Sequence, residues 1–419
     1  IRENITITTN TPFKPSKEQI ISQAFKFHSE GNIPEAKKYY QYFINQGFND
    51  HRVFSNYGSI LKSLGKLQEA ELSIRKAIEI KPDYAEAHYN LGSILRDLGK
   101  LQEAALSTRK AIEIKLDLAE AHYNLGIILK DLGKSQEAAL STRKAIEIKP
   151  DYTDAHSTLG SILKDLGKLQ EAELSTRKAI ALNPDFAEAH YNLGIILKDL
   201  GKSQEAELST RKAIEINPDF AEAHSSLGTI LSDLDKLKEA ELSYRKAIEI
   251  KPNFADFHCN LGGILCYLGK LEDAFDSYLK TIEINPTLTN IYPLITRFLT
   301  YSDLSKLNKL KLNKILEILL EKNDVPHNEL FNVFNFLYKN ELINSLERLD
   351  SDFTEVELLI NNQVIINALK KITFKEIRME KVLTKVRRKI CDYVVKDIEI
   401  IQYSVLQFVI ALGEQCFLN

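Results

Sequence analysis

Apolar residues recur along this chain at helical spacing, and the spacing itself recurs. Between Ala85 and Leu118, the residues Leu91, Ile94, Leu95 and Leu98 fall at i, i+3, i+4 and i+7, one face of an α-helix. Leu101, Ala104, Thr108, Ala111 and Ile112 then give a second helix its apolar stripe. Gly99, between the two stripes, can take the positive φ that ends a helix. Gly92, inside the first stripe, offers only a hydrogen, so the second helix can pack close.

The whole block returns at Ala119, Thr153, Ala187, Ala221 and Ala255, a period of 34 residues. The same register starts at His51, and a worn copy starts at Lys17. Pro82, Pro150, Pro184, Pro218, Pro252 and Pro286 follow second helices, and the Asp or Asn after most of them is expected to cap the next helix. One helix pair cannot bury its stripe alone, whereas a stack of them can.

Composition narrows the picture. A hydrophobic content of 44% supplies a core, and a formal net charge of −3 gives no global electrostatic grip on nucleic acid or an anionic membrane. No apolar run approaches the roughly 20 residues of a membrane span. Four cysteines are too scattered for a disulfide framework, and Cys259 and Cys266 stand about 10 Å apart along one helix. Reduced thiols and a cytoplasmic location are expected. The chain starts at Ile1 and its one methionine is Met379, so it is expected to be part of a longer protein.

Within each block, Leu at the seventh position, Gly at the eighth, Ala at the twentieth and twenty-seventh and Pro at the thirty-second resemble the tetratricopeptide repeat. The resemblance runs from Lys17 to Leu288. It implies an all-α, right-handed superhelical solenoid, followed here by a small C-terminal helical bundle. The organisation it implies is a flexible segment over 1–16, a degenerate first repeat over 17–50, seven repeats over 51–288, and a helical cap and linker over 289–419. Two departures are His at the fourth position, where the family usually has an aromatic, and Leu for the eleventh-position Tyr.

Three patterns carry candidate chemistry. The row His88, His122, His156, His190, His224 and His258 could suggest metal, but helices 8–10 Å apart hold successive imidazoles too far from one ion. These histidines are expected to be core residues, with no metal and no cofactor bound. Gly133-Lys134-Ser135 and Gly201-Lys202-Ser203 imitate a phosphate loop, yet the preceding glycines have the wrong spacing and follow a helix instead of a strand. Arg109-Lys110, Arg143-Lys144 and Arg177-Lys178 form a basic row on the second helices. Glu71→Arg75, Glu173→Arg177 and Glu207→Arg211 partners make it a solvated face without nucleic-acid character.

The family resemblance puts the second, fifth, sixth, ninth and twelfth positions of the first helices in a concave groove. The sixth holds Asn56, Asn90, Asn124, Asn192 and Asn260, with Thr158 and Ser226 in the gaps. A carboxamide can donate to and accept from one peptide unit, and one repeat step matches roughly three extended residues. A similar asparagine ladder lies in the repeat arm of O-linked N-acetylglucosamine transferases. Around it stand Tyr89, Tyr123 and Tyr191, Ile127 and Ile195, and Lys130, Lys164 and Lys198. Glu86, Glu120, Asp154, Glu188 and Glu222 at the second position make the basic carboxylate clamp of chaperone-binding relatives inapplicable. The expected partner is an extended segment of another polypeptide; the alternative is surface inheritance from repeat duplication.

After Leu288 the period fails, and 304–320, 329–342, 356–370 and 375–395 read as helices. Lys370, Lys371, Lys375, Arg378, Lys381, Lys385, Arg387, Arg388 and Lys389 form a basic stretch beside an apolar stripe. The segments Val364–Ile390 and Phe408–Asn419 resemble the lead-in helices of bacterial repeat proteins carrying a class I S-adenosylmethionine-dependent methyltransferase. The glycine-rich cofactor turn is absent here. The expected function is non-enzymatic. The alternative is the substrate-recruiting arm of an enzyme, a methyltransferase or less readily a glycosyltransferase, with its catalytic domain beyond Asn419.

Overall fold

A computed structural model describes residues 15–347, 362–373, 380–381, 383–384 and 403–418. The chain divides into two units, 1–218 and 219–419. The first holds α1 (Lys17–Ser29), α2 (Ile33–Asn45), α3 (His51–Ser63), α4 (Leu67–Ile80), α5 (Ala85–Asp97) and α6 (Leu101–Ile114). It continues with α7 (Ala119–Asp131), α8 (Ser135–Ile148), α9 (Thr153–Asp165), α10 (Leu169–Leu182), α11 (Ala187–Asp199) and α12 (Ser203–Ile216). Each odd-numbered helix pairs with the even one after it, and α2, α4, α6, α8 and α10 each pack on the next odd one. This is the expected all-α repeat stack.

The close approach inside each pair has a steric origin. A Cβ at Gly92 would overlap the Thr108 hydroxyl oxygen and come within 3.1 Å of the Ala104 carbonyl. Thr108 turns that hydroxyl back to donate to Ala104 at 2.8 Å, so the polar group is buried but satisfied. Leu91, Ile94 and Leu95 meet Ala104 and Ala105 in one apolar core that runs from Ile20 to Ile196. The worn first pair keeps its place with larger side chains. Tyr40 and Phe43 are fully buried, and burial pushes the Tyr40 hydroxyl up to about 12 while Asn56 donates to it.

Two sequence expectations change in the turns between repeats. Asp50 does cap α3, accepting from the Arg52 amide at 2.9 Å. In the later repeats the N-cap is instead the residue after the aspartate, namely Tyr84, Leu118, Tyr152 and Phe186, with no side-chain capping bond. Tyr84 packs against the apolar core, and the aspartate stands one residue outside the helix. The histidines, expected in the core, are half-buried. Five of them donate from Nε2 to the carbonyl six residues earlier, among them His88 to Pro82 at 2.9 Å, His156 to Pro150 at 3.0 Å and His190 to Pro184 at 2.9 Å. They latch the incoming turn onto the helix that follows it.

The second unit contains α13 (Ala221–Asp233), α14 (Leu237–Ile250), α15 (Ala255–Tyr267) and α16 (Leu271–Ile284), two more repeats. Here Gly228 and Gly262 face the rings of Tyr244 and Tyr278 in place of threonine. Then come α17 (Ile291–Tyr301), α18 (Lys309–Glu321), α19 (Phe331–Glu347), α20 (Gln363–Lys371) and α21 (Tyr403–Leu418). The sequence reading did not separate α17. It also joined 304–320, which breaks at Leu307 because Asn308 caps α18 by accepting from the Leu310 and Lys311 amides.

Lys371 of the basic stretch donates to the Leu320 carbonyl at 2.7 Å, and Lys370 to Gln407 at 3.2 Å. Lys375, Arg378, Lys385, Arg387, Arg388 and Lys389 lie outside the described residues, as do 1–14 of the expected flexible segment. So do 356–361, most of the helix expected over 375–395, and much of the methyltransferase-like segment. No helix among the described residues is long and apolar enough to cross a membrane.

Candidate functional site

In the first unit the first helices of adjacent repeats, α3, α5, α7, α9 and α11, touch one another directly. The second helices splay. Between α8 and α10 they leave a cleft of about 450 Å³ floored by His156, Leu159 and Leu163. The first helices therefore form the tighter, inner row and the second helices the outer one.

Down the inner row, the sixth-position asparagines are bound into the stack to different degrees. Asn90 donates to Ser55 at 3.4 Å and Asn192 to Ser157 at 3.4 Å, in each case reaching back to the preceding first helix. Asn124 is only 5% exposed and donates to Thr108 at 3.5 Å. Asn56 donates to Tyr40. A primary amide has two N–H donors and a carbonyl with two lone pairs, so each retains capacity for another partner. Asn260 lies in the second unit and is exposed.

The neighbouring positions are half-buried: Tyr89, Tyr123 and Tyr191 at the fifth, Ile127 and Ile195 at the ninth. Tyr123 shares a hydrogen bond with Thr158 at 3.3 Å, and its ring lies 4.9 Å from that of Tyr152. Burial, and after it the carboxylates Asp154 and Glu188, push the Tyr123 hydroxyl up.

The twelfth-position cations close the C-terminal edge. Lys62 reaches Asp97 at 3.2 Å and donates to Ser93, and Lys130 donates to Ser161 at 2.8 Å with Asp165 at 3.9 Å. Lys164 pairs with Asp165 at 3.5 Å and Arg96 with Asp97 at 3.4 Å. Lys198 has no ion pair among the described residues.

The outer face carries the salt-bridged pattern expected from its sequence. Arg75, Arg109, Arg143 and Arg177 each bridge to the next outer helix, at Glu103, Glu137, Glu171 and Glu205. Glu71 and Glu173 add a second bridge, accepting from Lys100 at 2.8 Å and Lys202 at 2.9 Å. Ala105 and Ala139 occupy the equivalent positions between them. The sequence reading missed one outer feature: Leu72, Leu106, Leu140, Leu174 and Leu208 each stand about 70% exposed, one per repeat. Their signal was a leucine at a fixed position opposite the buried stripe.

Residues 119–152 and 187–220 match the model of the tetratricopeptide repeat, and 58–95, 92–133, 160–201 and 228–265 match a second TPR-repeat model. The chain therefore carries tetratricopeptide repeats, stacked as a solenoid. No curated protein matches it. Among solved structures, MamA is 27% identical over 39% of this chain and 95% of its own, with a TM-score of 0.36. YrrB, a TPR protein described with an unusual peptide-binding site, is 25% identical over 45% of this chain and 96% of its own, at 0.37. The Cut9–Hcn1 hetero-tetramer of the APC/C is 15% identical over 68% of this chain and 56% of its own, at 0.52, a likeness of fold.

Proposed function

We propose that the first unit is a binding scaffold that takes up an extended segment of another polypeptide along α3, α5, α7, α9 and α11. The observation that carries this is the register of the inner row. Each repeat offers the same positions, a carboxamide or hydroxyl flanked by a half-buried tyrosine or a buried serine and by an isoleucine or serine. Helix spacing of 8–10 Å per repeat equals about three extended residues, so successive amides can meet successive peptide units. Extended concave surfaces of this kind are what stacked repeats are used for. Binding is the activity; of the segments behind the enzyme-arm alternative, 364–373, 380–381, 383–384 and 408–418 are described, and they form helices without a cofactor-binding turn.

A second reading has its own support. The exposed leucine row along the outer helices offers a partner one apolar side chain per repeat. One comparison separates the two. A polypeptide captured by the full chain is titrated against Asn90→Ala/Asn124→Ala/Asn192→Ala and against Arg109→Ala/Arg143→Ala/Arg177→Ala. Inner-row binding predicts a loss of about 0.5–1.5 kcal/mol per amide removed and little change for the arginines. Loss of affinity in the arginine variant alone moves the site to the outer face.

A further inference from the structure

We infer that the segment accepted by the first unit is basic, with a Lys or Arg at about every third residue; this rests on the inner-row reading above. The second-position acids Glu86, Glu120, Asp154 and Glu188 run along the N-terminal edge of the inner helices, one per repeat. None of them makes an ion pair among the described residues. Part of their role is local, because an acid in the first turn complements the helix dipole. That role does not require them to lack a cation, and the second unit shows the alternative. There the equivalent Glu222 is paired with Lys251.

The two edges of the inner row differ in charge state. On the C-terminal edge, Lys62 and Arg96 share Asp97, Lys130 and Lys164 share Asp165, and Lys198 has no ion pair among the described residues. On the N-terminal edge the acids stand open, so the uncompensated charge facing a bound segment there is negative. A chain lying along that edge meets one carboxylate per repeat, a spacing of roughly three extended residues.

Aromatic faces lie beside the acids. Burial raises the Tyr89 hydroxyl, with Glu120 adding to it and Arg96 opposing it, and raises Tyr152 with Tyr123, Tyr89, Glu120 and Asp154 adding to it, which puts rings and carboxylates in one field. The chain's own cations already use such rings. Lys149 places its ammonium 4.8 Å over Tyr152, and Lys81 stands 5.6 Å over Tyr84. A carboxylate next to a tyrosine face suits an ammonium or guanidinium and repels an acidic residue.

Synthetic extended peptides of Lys-Ser-Ala, Gln-Ser-Ala and Glu-Ser-Ala repeats, titrated by fluorescence anisotropy onto the full chain, test this. The lysine peptide should bind at least about tenfold tighter than the glutamine peptide at low salt, with the advantage shrinking as ionic strength rises. The variant Glu86→Gln/Glu120→Gln/Asp154→Asn/Glu188→Gln should erase that advantage, so that the lysine and glutamine peptides bind alike. The outer-face variant Glu103→Gln/Glu137→Gln/Glu205→Gln should keep it. Equal binding of all three peptides, weakened by the asparagine substitutions, overturns the charge preference but keeps the inner-row reading. Preference for the glutamate peptide, or the same loss in both acid variants, also overturns it. Binding of none of the three overturns both readings.

Discussion

Lys202 donates to Glu173 at 2.9 Å, joining the start of α12 to the middle of α10 across 29 residues. Arg177 donates to the same carboxylate at 2.9 Å. The Lys202 hydrogen bond is the main cause that holds Glu173 below its ordinary 4.5; burial opposes it, and Arg177 adds to the lowering. A carboxyl depressed in the folded state stabilises fully above its unfolded pKa, and the contribution fades as pH falls through the folded value. Glu173→Gln should therefore cost about 1 kcal/mol at neutral pH, a modest figure because both cations are solvated. Urea unfolding at pH 7 and near pH 3 should show the variant and parent converging in acid.

Gly92→Ala gains helix propensity yet should destabilise by about 1–3 kcal/mol, because the new methyl overlaps the Thr108 hydroxyl. Thr108→Ala in the same chain removes that oxygen and should recover a large part of the loss. Thermal melts of the two single variants and the double variant check this, and additive losses would contradict the steric account.

The histidine latches predict a small structural cost and no metal response. His156→Ala removes the bond to the Pro150 carbonyl and should cost about 1 kcal/mol. Zinc should leave the melting temperature of parent and variant unchanged, since a true ligand set would stabilise by about 2.7 kcal/mol at a hundredfold excess over Kd.

The asparagines should separate by burial. Asn124→Ala, at a site 5% exposed and bonded to Thr108, should cost about 1 kcal/mol of stability. Asn260→Ala, at an exposed site, should stay within about 0.5 kcal/mol. Urea midpoints of the two variants decide it.

The helix pairs were legible because Gly92, Ala104 and Ala111 recur with fixed spacing, and repetition turns a weak periodicity into a strong one. The turns were less so. Asp83 looks like a cap in sequence, but Tyr84 takes the N-cap, and neither that nor the His88 latch to Pro82 follows from residue type. For the inner row, sequence gave the residues but not their commitments. Ser55, Ser157 and Thr108 lie 16 to 35 residues from the amides they accept from, a pairing only tertiary stacking creates.

The alanines at 105 and 139 bear on how the stack comes apart. Repeats contact mainly their neighbours, so the first unit opens at joints, not as a whole. The α4–α6 joint has two outer ion bridges and so does α10–α12, whereas α6–α8 and α8–α10 have one each among the described residues. Backbone amides in α6 to α9 would thus exchange with solvent sooner than those on either side. That zone coincides with Tyr123 and Asn124, so a segment clasped along the inner row would act as a splint across it.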